Sequence, residues 1–183
     1  MITRIFFYSM VMFPWVVDAA RAQSLSDQLK REPVESLVAD VRQHGDAVQG
    51  AVLFARKGLG CANCHARGSK EMVGPDLSRV ARESGERDVI ESLLYPSKKI
   101  REGYEATLIE TTDGETLSLR VIEQLDDALL GREVTPPYRL RKLDRESIVE
   151  VQTSPVSSMP DSLSDQLQSR QEFLDLVRYL IEM

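Results

Sequence analysis

The sequence predicts a mainly α fold that carries a small antiparallel β insertion. Apolar residues recur with the helical period before residue 96 and after residue 162, but they alternate with period two between Tyr104 and Gln152. Inside the alternating stretch, Asp113-Gly114 is a strong hairpin signal. A length of 183 residues with 42% hydrophobic content suits one globular domain with an appendage.

The N-terminus has the pattern of a secretory signal peptide. Arg4 is followed by an apolar run from Ile5 to Val17, and Ala20 and Ala22 supply the small residues of a cleavage site. The run is shorter than the roughly 20 apolar residues that span a bilayer. We therefore expect residues 1–22 to be cleaved, the mature protein to be periplasmic, and no stable membrane anchor.

Residues 23–45 read as an N-terminal helical extension. Pro33 suits the first turn of a helix, and the sequence His44-Gly45-Asp46 ends that helix and begins the next. Four apolar residues share one face of the predicted helix: Val34, Leu37, Val38 and Val41.

Further helices are predicted over Ala47–Lys57, Glu86–Tyr95 and Leu163–Glu182, the last with Ser162 or Ser164 as its N-cap. Between the last two, the alternating pattern indicates a meander of three to five strands from Tyr104 to Gln152.

The segment Cys61-Ala62-Asn63-Cys64-His65 holds the only two cysteines and follows the pattern of covalent haem attachment. Two thiols one helical turn apart add to the two haem vinyl groups, and the histidine is placed to bind iron. A zinc site lacks further ligands, since His44 is the only other histidine. A redox dithiol would be expected between a strand and a helix, whereas this motif follows a helix and a Gly-rich turn.

The sequence "VGPDL" then follows, and together with the haem motif it resembles class I cytochromes c. The resemblance implies that the Pro75 carbonyl accepts the His65 ring N–H, that Gly74 permits the turn, and that Leu77 packs on the haem. It also implies a cytochrome c-like helical domain around the haem over residues 46–183, with a β insertion at about 104–152. In such a domain Gly50 and Phe54 would cross a C-terminal helix near Tyr179.

The distal iron ligand has four candidates in the mature chain: Met72, Met159, Met183 and His44. Met72 is only seven residues from His65, and Met183 ends a helix that is expected to pack elsewhere. The resemblance favours Met159, because class I cytochromes c carry the distal methionine in a Met-Pro dipeptide. The β insertion would then separate the proximal ligand His65 from the distal ligand.

This arrangement resembles a haem-binding domain family described from Pirellula and Verrucomicrobium-type bacteria. The shared segments are the haem motif, "GPDL", "YPSKKIREGYEA", Asp113-Gly114 and "SPVSSMP". Two segments depart from the pattern: Leu119-Arg120 stands where a glycine is usual after the hairpin, and "GREVTPPYRL" fits poorly.

The function that we expect is that of an exported mono-haem c-type cytochrome, which carries single electrons and is not an enzyme. Its partners would be redox proteins: a periplasmic dehydrogenase as donor, and an oxidase or another cytochrome as acceptor. The net charge of −6 argues against a nucleic-acid surface. Three alternatives stay open: a five-coordinate, peroxidase-like haem enzyme, a haem-containing module that binds a partner, and a dithiol oxidoreductase.

Overall fold

The computed structural model describes residues 23–65, 68 and 72–183, so the predicted signal peptide lies outside the described residues. None of the described helices has the length and apolar character needed to cross a bilayer. Within those ranges the α-helices are α1 (Leu25–Leu29), α2 (Val34–His44), α3 (Ala47–Ala55), α4 (Cys61–Cys64), α5 (Leu77–Glu83), α6 (Glu86–Leu94) and α7 (Arg170–Glu182).

The C-terminal helix begins later than the sequence predicted. Residues Leu163–Gln166 form a 3-10 turn, and α7 starts only after Ser169, whose hydroxyl accepts a hydrogen bond from the Glu172 N–H. This cap satisfies one of the N–H groups that a helix leaves without a partner at its start. The chain between Met159 and α7 is therefore a loop with a single short turn.

The helical core is organised by the crossing of α3 and α7. A Cβ atom on Gly50 would lie 2.0 Å from the Asp175 carbonyl oxygen and 2.6 Å from Tyr179 Cβ, so only glycine allows this approach. The rings of Phe54 and Tyr179 meet with centroids 5.6 Å apart. The predicted crossing of Gly50 and Phe54 with Tyr179 is therefore confirmed.

The N-terminal helices belong to this same core. Leu29 of α1 and both Leu37 and Val41 of α2 are fully buried in one apolar cluster with Phe173 and Val177 of α7. Asp46 caps α3 by accepting hydrogen bonds from two backbone N–H groups. Residues 23–45 thus contribute buried area to the helical core that supports the cysteine motif.

A five-stranded antiparallel sheet occupies the chain between α6 and α7. Its strands are β1 (Ala106–Thr111), β2 (Thr116–Gln124), β3 (Ala128–Glu133), β4 (Leu140–Asp144) and β5 (Ile148–Thr153), arranged in the order β4-β3-β2-β1-β5. Gly114, at φ +84°, turns the chain between β1 and β2, as the Asp-Gly signal predicted. The predicted number of strands is confirmed, and β1 to β4 form the predicted meander; β5, however, pairs with β1 at the other edge of the sheet, so the five strands together are not a simple meander.

The prediction of a mainly α, cytochrome c-like fold is wrong. Helical residues make up 42% and strand residues 21% of the described chain, which is an α/β fold. The alternating stretch was interpreted as a small insertion, but it forms a complete sheet around an apolar cluster of its own. Ile109 and Leu119 are fully buried in that cluster, and Leu117 and Leu129 complete it. Because the sheet buries a second core, it is a major layer of the fold.

We predict that Gly50→Ala destabilises the protein by about 2–3 kcal/mol, because the added methyl group overpacks the α3–α7 crossing. The free energy of unfolding, measured by chemical denaturation, checks this. Gly58→Ala is the matched control, since a Cβ at Gly58 meets no atom within 4 Å; we expect it to stabilise the fold by up to about 1 kcal/mol. Equal effects of the two substitutions would contradict the close-approach argument.

Candidate cofactor site

The two cysteines lie on the single-turn helix α4. Gly60, in the left-handed region at φ +70°, leads into this turn, and the His65 N–H donates to the Cys61 carbonyl at 2.9 Å. Side chains three positions apart on a helix are neighbours, so Cys61 and Cys64 share one side of the turn. Both thiols are free. The turn therefore presents two sulfurs, not joined in a disulfide, immediately before the histidine.

The His65 ring is fixed by the backbone of a loop ten residues downstream. Its Nδ1 lies 2.8 Å from the Pro75 carbonyl oxygen. A carbonyl only accepts hydrogen bonds, so Nδ1 carries the proton and Nε2 keeps its lone pair. Burial lowers the pKa of His65, and the Pro75 contact opposes that change only in part. The imidazole is thus held neutral, in the tautomer that a metal ligand requires.

Gly74 lies directly against the His65 ring. A Cβ atom at Gly74 would stand 2.3 Å from the ring Cε1 and 2.5 Å from Nδ1. The Gly74 N–H donates to the Cys64 carbonyl at 2.8 Å, which ties the loop back to α4. Here glycine is required because any side chain would displace the imidazole.

The rest of the "GPDL" segment anchors this loop to α5. The Asp76 carboxylate accepts hydrogen bonds from the Ser78 N–H at 3.0 Å and from the Gly68 N–H at 2.7 Å. Leu77 and Cys61 are both partly buried against the helical core. The segment therefore connects the histidine loop to the packed interior on one side and to α4 on the other.

The thiol environment bears on the dithiol alternative. The pKa of the Cys61 thiol is raised, mainly because the thiol is buried. A dithiol oxidoreductase needs a thiolate and achieves it by lowering a cysteine pKa. The site changes the Cys61 pKa in the opposite direction, which disfavours redox exchange at this thiol.

Of the four candidates for the distal ligand, Met159 is held in a loop by hydrogen bonds. Its N–H donates to the Ser157 hydroxyl at 3.1 Å, and the Ser157 N–H donates to the Ser97 hydroxyl at 3.1 Å. Its side chain is partly buried against the same cluster that Cys61 borders.

The other three candidates lie in different surroundings. His44 is exposed at the end of α2, Met183 is partly buried against the helical core at the end of α7, and Met72 precedes the histidine loop.

Two residues from the sheet region contact the chain near His65, one on β2 and one between β3 and β4, and neither was predicted from the sequence. Tyr138, in the left-handed region at φ +56°, contacts Cys64; burial and a hydrogen bond with that thiol raise the pKa of Tyr138. Arg120 of β2 donates from Nη1 to the Met72 carbonyl at 2.5 Å and from Nε to the Gly103 carbonyl at 2.9 Å. Both residues lie where the sequence departs from the family pattern, and that departure was the available signal.

In the part of the chain that the structure describes, no three His, Cys, Asp or Glu side chains come together as a metal site would require. The zinc interpretation of Cys61 and Cys64 gains no support there. By contrast, the site suits a covalently bound haem in three respects. Two thiols lie one helical turn apart, His65 keeps the lone pair on Nε2, and Gly74 leaves room for the His65 imidazole.

No protein-family model matches this chain, and a search of curated proteins finds no similar sequence. The resemblance to a haem-binding family therefore stays a prediction that rests on the motifs and on the geometry of the site.

We predict that Gly74→Ala breaks the hydrogen bond between His65 and Pro75, because the methyl group occupies the position of the imidazole. The ring ¹⁵N and Nδ1 proton resonances of His65 check this, since they report the tautomer and the hydrogen bond. Gly58→Ala, which adds the same methyl group a few residues before α4, is expected to leave these resonances unchanged. An unaltered His65 spectrum in Gly74→Ala would contradict the described contact.

Proposed function

We propose that this protein is an exported mono-haem c-type cytochrome that carries single electrons between redox proteins. The observation that carries the proposal is the His65 ring, whose proton is fixed on Nδ1 by the Pro75 carbonyl immediately after two free thiols on one helical turn. This combination would supply both the sulfurs for covalent attachment and a nitrogen ligand for the iron.

Each residue has a defined role in this proposal. The thiols of Cys61 and Cys64 would hold the haem covalently, each adding its S–H across one vinyl group, so the cofactor would be retained outside the cell. His65 would bind the iron through Nε2, and Pro75 would increase the basicity of the imidazole by accepting a hydrogen bond from its other N–H. The haem iron supplies the exchange of one electron between its ferric and ferrous states.

Met159 is the distal ligand in this proposal. Its loop is held by the serines at positions 157 and 97, and its side chain faces the apolar cluster that Cys61 also borders. A thioether ligand raises the reduction potential compared with a second imidazole. Such a potential suits a carrier that accepts electrons from a periplasmic dehydrogenase and passes them to an oxidase or another cytochrome.

The charge of the protein favours partners of opposite sign. With a formal net charge of −6, the chain attracts cationic docking faces, and this attraction mainly increases the rate of encounter. We expect the rate of electron transfer between the proteins to fall as ionic strength rises, because salt screens charges at the surface.

The first test is the covalent haem content of protein made in cells that carry the haem-attachment machinery. We predict that the wild-type chain retains haem on a denaturing gel, and that the double variant Cys61→Ser, Cys64→Ser retains none, because it leaves no cysteine sulfur to form a thioether bond. Gly58→Ala serves as the control, with full haem content. Wild-type protein without covalent haem, but with a reversible Cys61–Cys64 disulfide, would favour the dithiol alternative instead.

The second prediction concerns the distal ligand. Ferric haem with a methionine sulfur ligand shows a weak far-red absorption band, and we expect Met159→Ala to lose this band while keeping covalent haem. Met72→Ala is the matched control, since it removes the other loop methionine, and we expect its band to match the wild type. Loss of the band in Met72→Ala, or its retention in Met159→Ala, would contradict the assignment.

A further inference from the structure

Arg120 is a buried arginine of the sheet that holds two segments of the helical part of the chain. Its residue is only 7% exposed, although arginine is rarely buried without partners. Its guanidinium donates to the carbonyls of Met72 and Gly103 and stacks over the Tyr104 ring, with Cζ 4.0 Å from the ring centroid. One side chain of β2 thus joins two segments: the loop at Met72, just before the residues that contact His65, and the segment at Gly103 that leads into β1.

The Met72 carbonyl is two residues from the first backbone contact with His65. Val73, the residue between, is buried. Gly74 then lies against the imidazole and donates to the Cys64 carbonyl, and the Pro75 carbonyl accepts a hydrogen bond from the His65 Nδ1–H. Because this stretch of backbone is short and packed, a displacement of the Met72 carbonyl would also move Gly74 and the Pro75 carbonyl, which fix the His65 ring.

The chemistry of arginine matters at this position. The planar guanidinium offers donors in fixed directions, so it binds two carbonyls of separate segments at once, while an ammonium is a single compact centre. Burial disfavours the charged form and lowers the pKa of Arg120. These two directed hydrogen bonds suit Arg120 to hold the Met72 carbonyl in a fixed position relative to the sheet.

We propose that Arg120 is a positioning residue for His65: through the Met72 carbonyl, it holds residues 72–76 where Gly74 and Pro75 fix the ring. The sheet would thereby control the orientation and basicity of the proximal ligand. The effect on iron rests on the proposed haem function, whereas the effect on the loop does not.

The loop effect is measured by amide hydrogen exchange at Gly74, whose N–H bonds to the Cys64 carbonyl. In Arg120→Gln we expect the Gly74 amide to exchange roughly tenfold faster, because a hydrogen bond from a charged donor is lost. The Ser154 amide, bonded to the Ala106 carbonyl at 2.7 Å, is the internal reference for the sheet and is expected to keep its rate.

Two further variants make the test specific. Arg120→Lys keeps the charge and reaches one carbonyl, so we expect a partial loss of Gly74 protection; it also replaces Arg120→Gln in the test if that variant does not fold. Arg141→Gln is the matched control on the same sheet, since Arg141 pairs with Glu115 and Glu133. We expect it to leave the Gly74 rate unchanged.

The haem-bound protein gives a second readout, the reduction potential. Release of the loop weakens the bond from Nδ1 to Pro75, so the imidazole donates less electron density and stabilises ferric iron less. We therefore expect a positive shift of the potential in Arg120→Gln, a smaller positive shift in Arg120→Lys, and none in Arg141→Gln.

The proposal is overturned if Gly74 keeps its wild-type exchange rate in the Arg120 variants, or if Gly74 and Ser154 lose protection in parallel, which would indicate a general loss of stability. An unchanged potential in haem-bound Arg120→Gln overturns the link to the iron ligand. If the purified protein contains no haem, the proposed function fails, and Gly74 exchange still decides whether Arg120 positions the loop.

Discussion

The hydrogen bond from His65 Nδ1 to the Pro75 carbonyl is the constraint on which the site depends. It fixes one tautomer, keeps Nε2 available, and needs a backbone close enough to the ring that only glycine fits at position 74. Because burial also favours the neutral imidazole, the folded chain prepares this side chain as a ligand. In our proposal, the two cysteines that precede it hold a redox-active haem covalently.

The sheet is part of the site's construction. Arg120 of β2 holds the loop that carries the glycine and the proline, and Tyr138, between β3 and β4, contacts Cys64. The sheet region therefore contacts the chain both before His65, at Cys64, and after it, at Met72. This arrangement gives a physical reason for a large β layer within a small protein: it buries its own core and also supports the segment around the proposed iron ligand.

Sequence reasoning predicted features that depend on local patterns. The Gly50 crossing, the Asp-Gly hairpin and the strand alternation each have a short-range signal. The fold class was missed because alternation shows strands without showing how much of the fold they occupy. The contact between Arg120 and Met72 joins residues 48 positions apart, and no spacing rule connects them. The two departures from the family pattern marked the right segments, but only the structure shows what they contact.

In the proposed function, Cys61 and Cys64 hold one haem beside His65. The most direct measurement is the intact mass, under denaturing conditions, of mature protein from cells with the haem-attachment machinery, followed by the mass of the proteolytic peptide that contains residues 61–65. We predict that the protein and the peptide each exceed their unmodified mass by one haem. Masses equal to the polypeptide alone, with or without a disulfide between the cysteines, would contradict it.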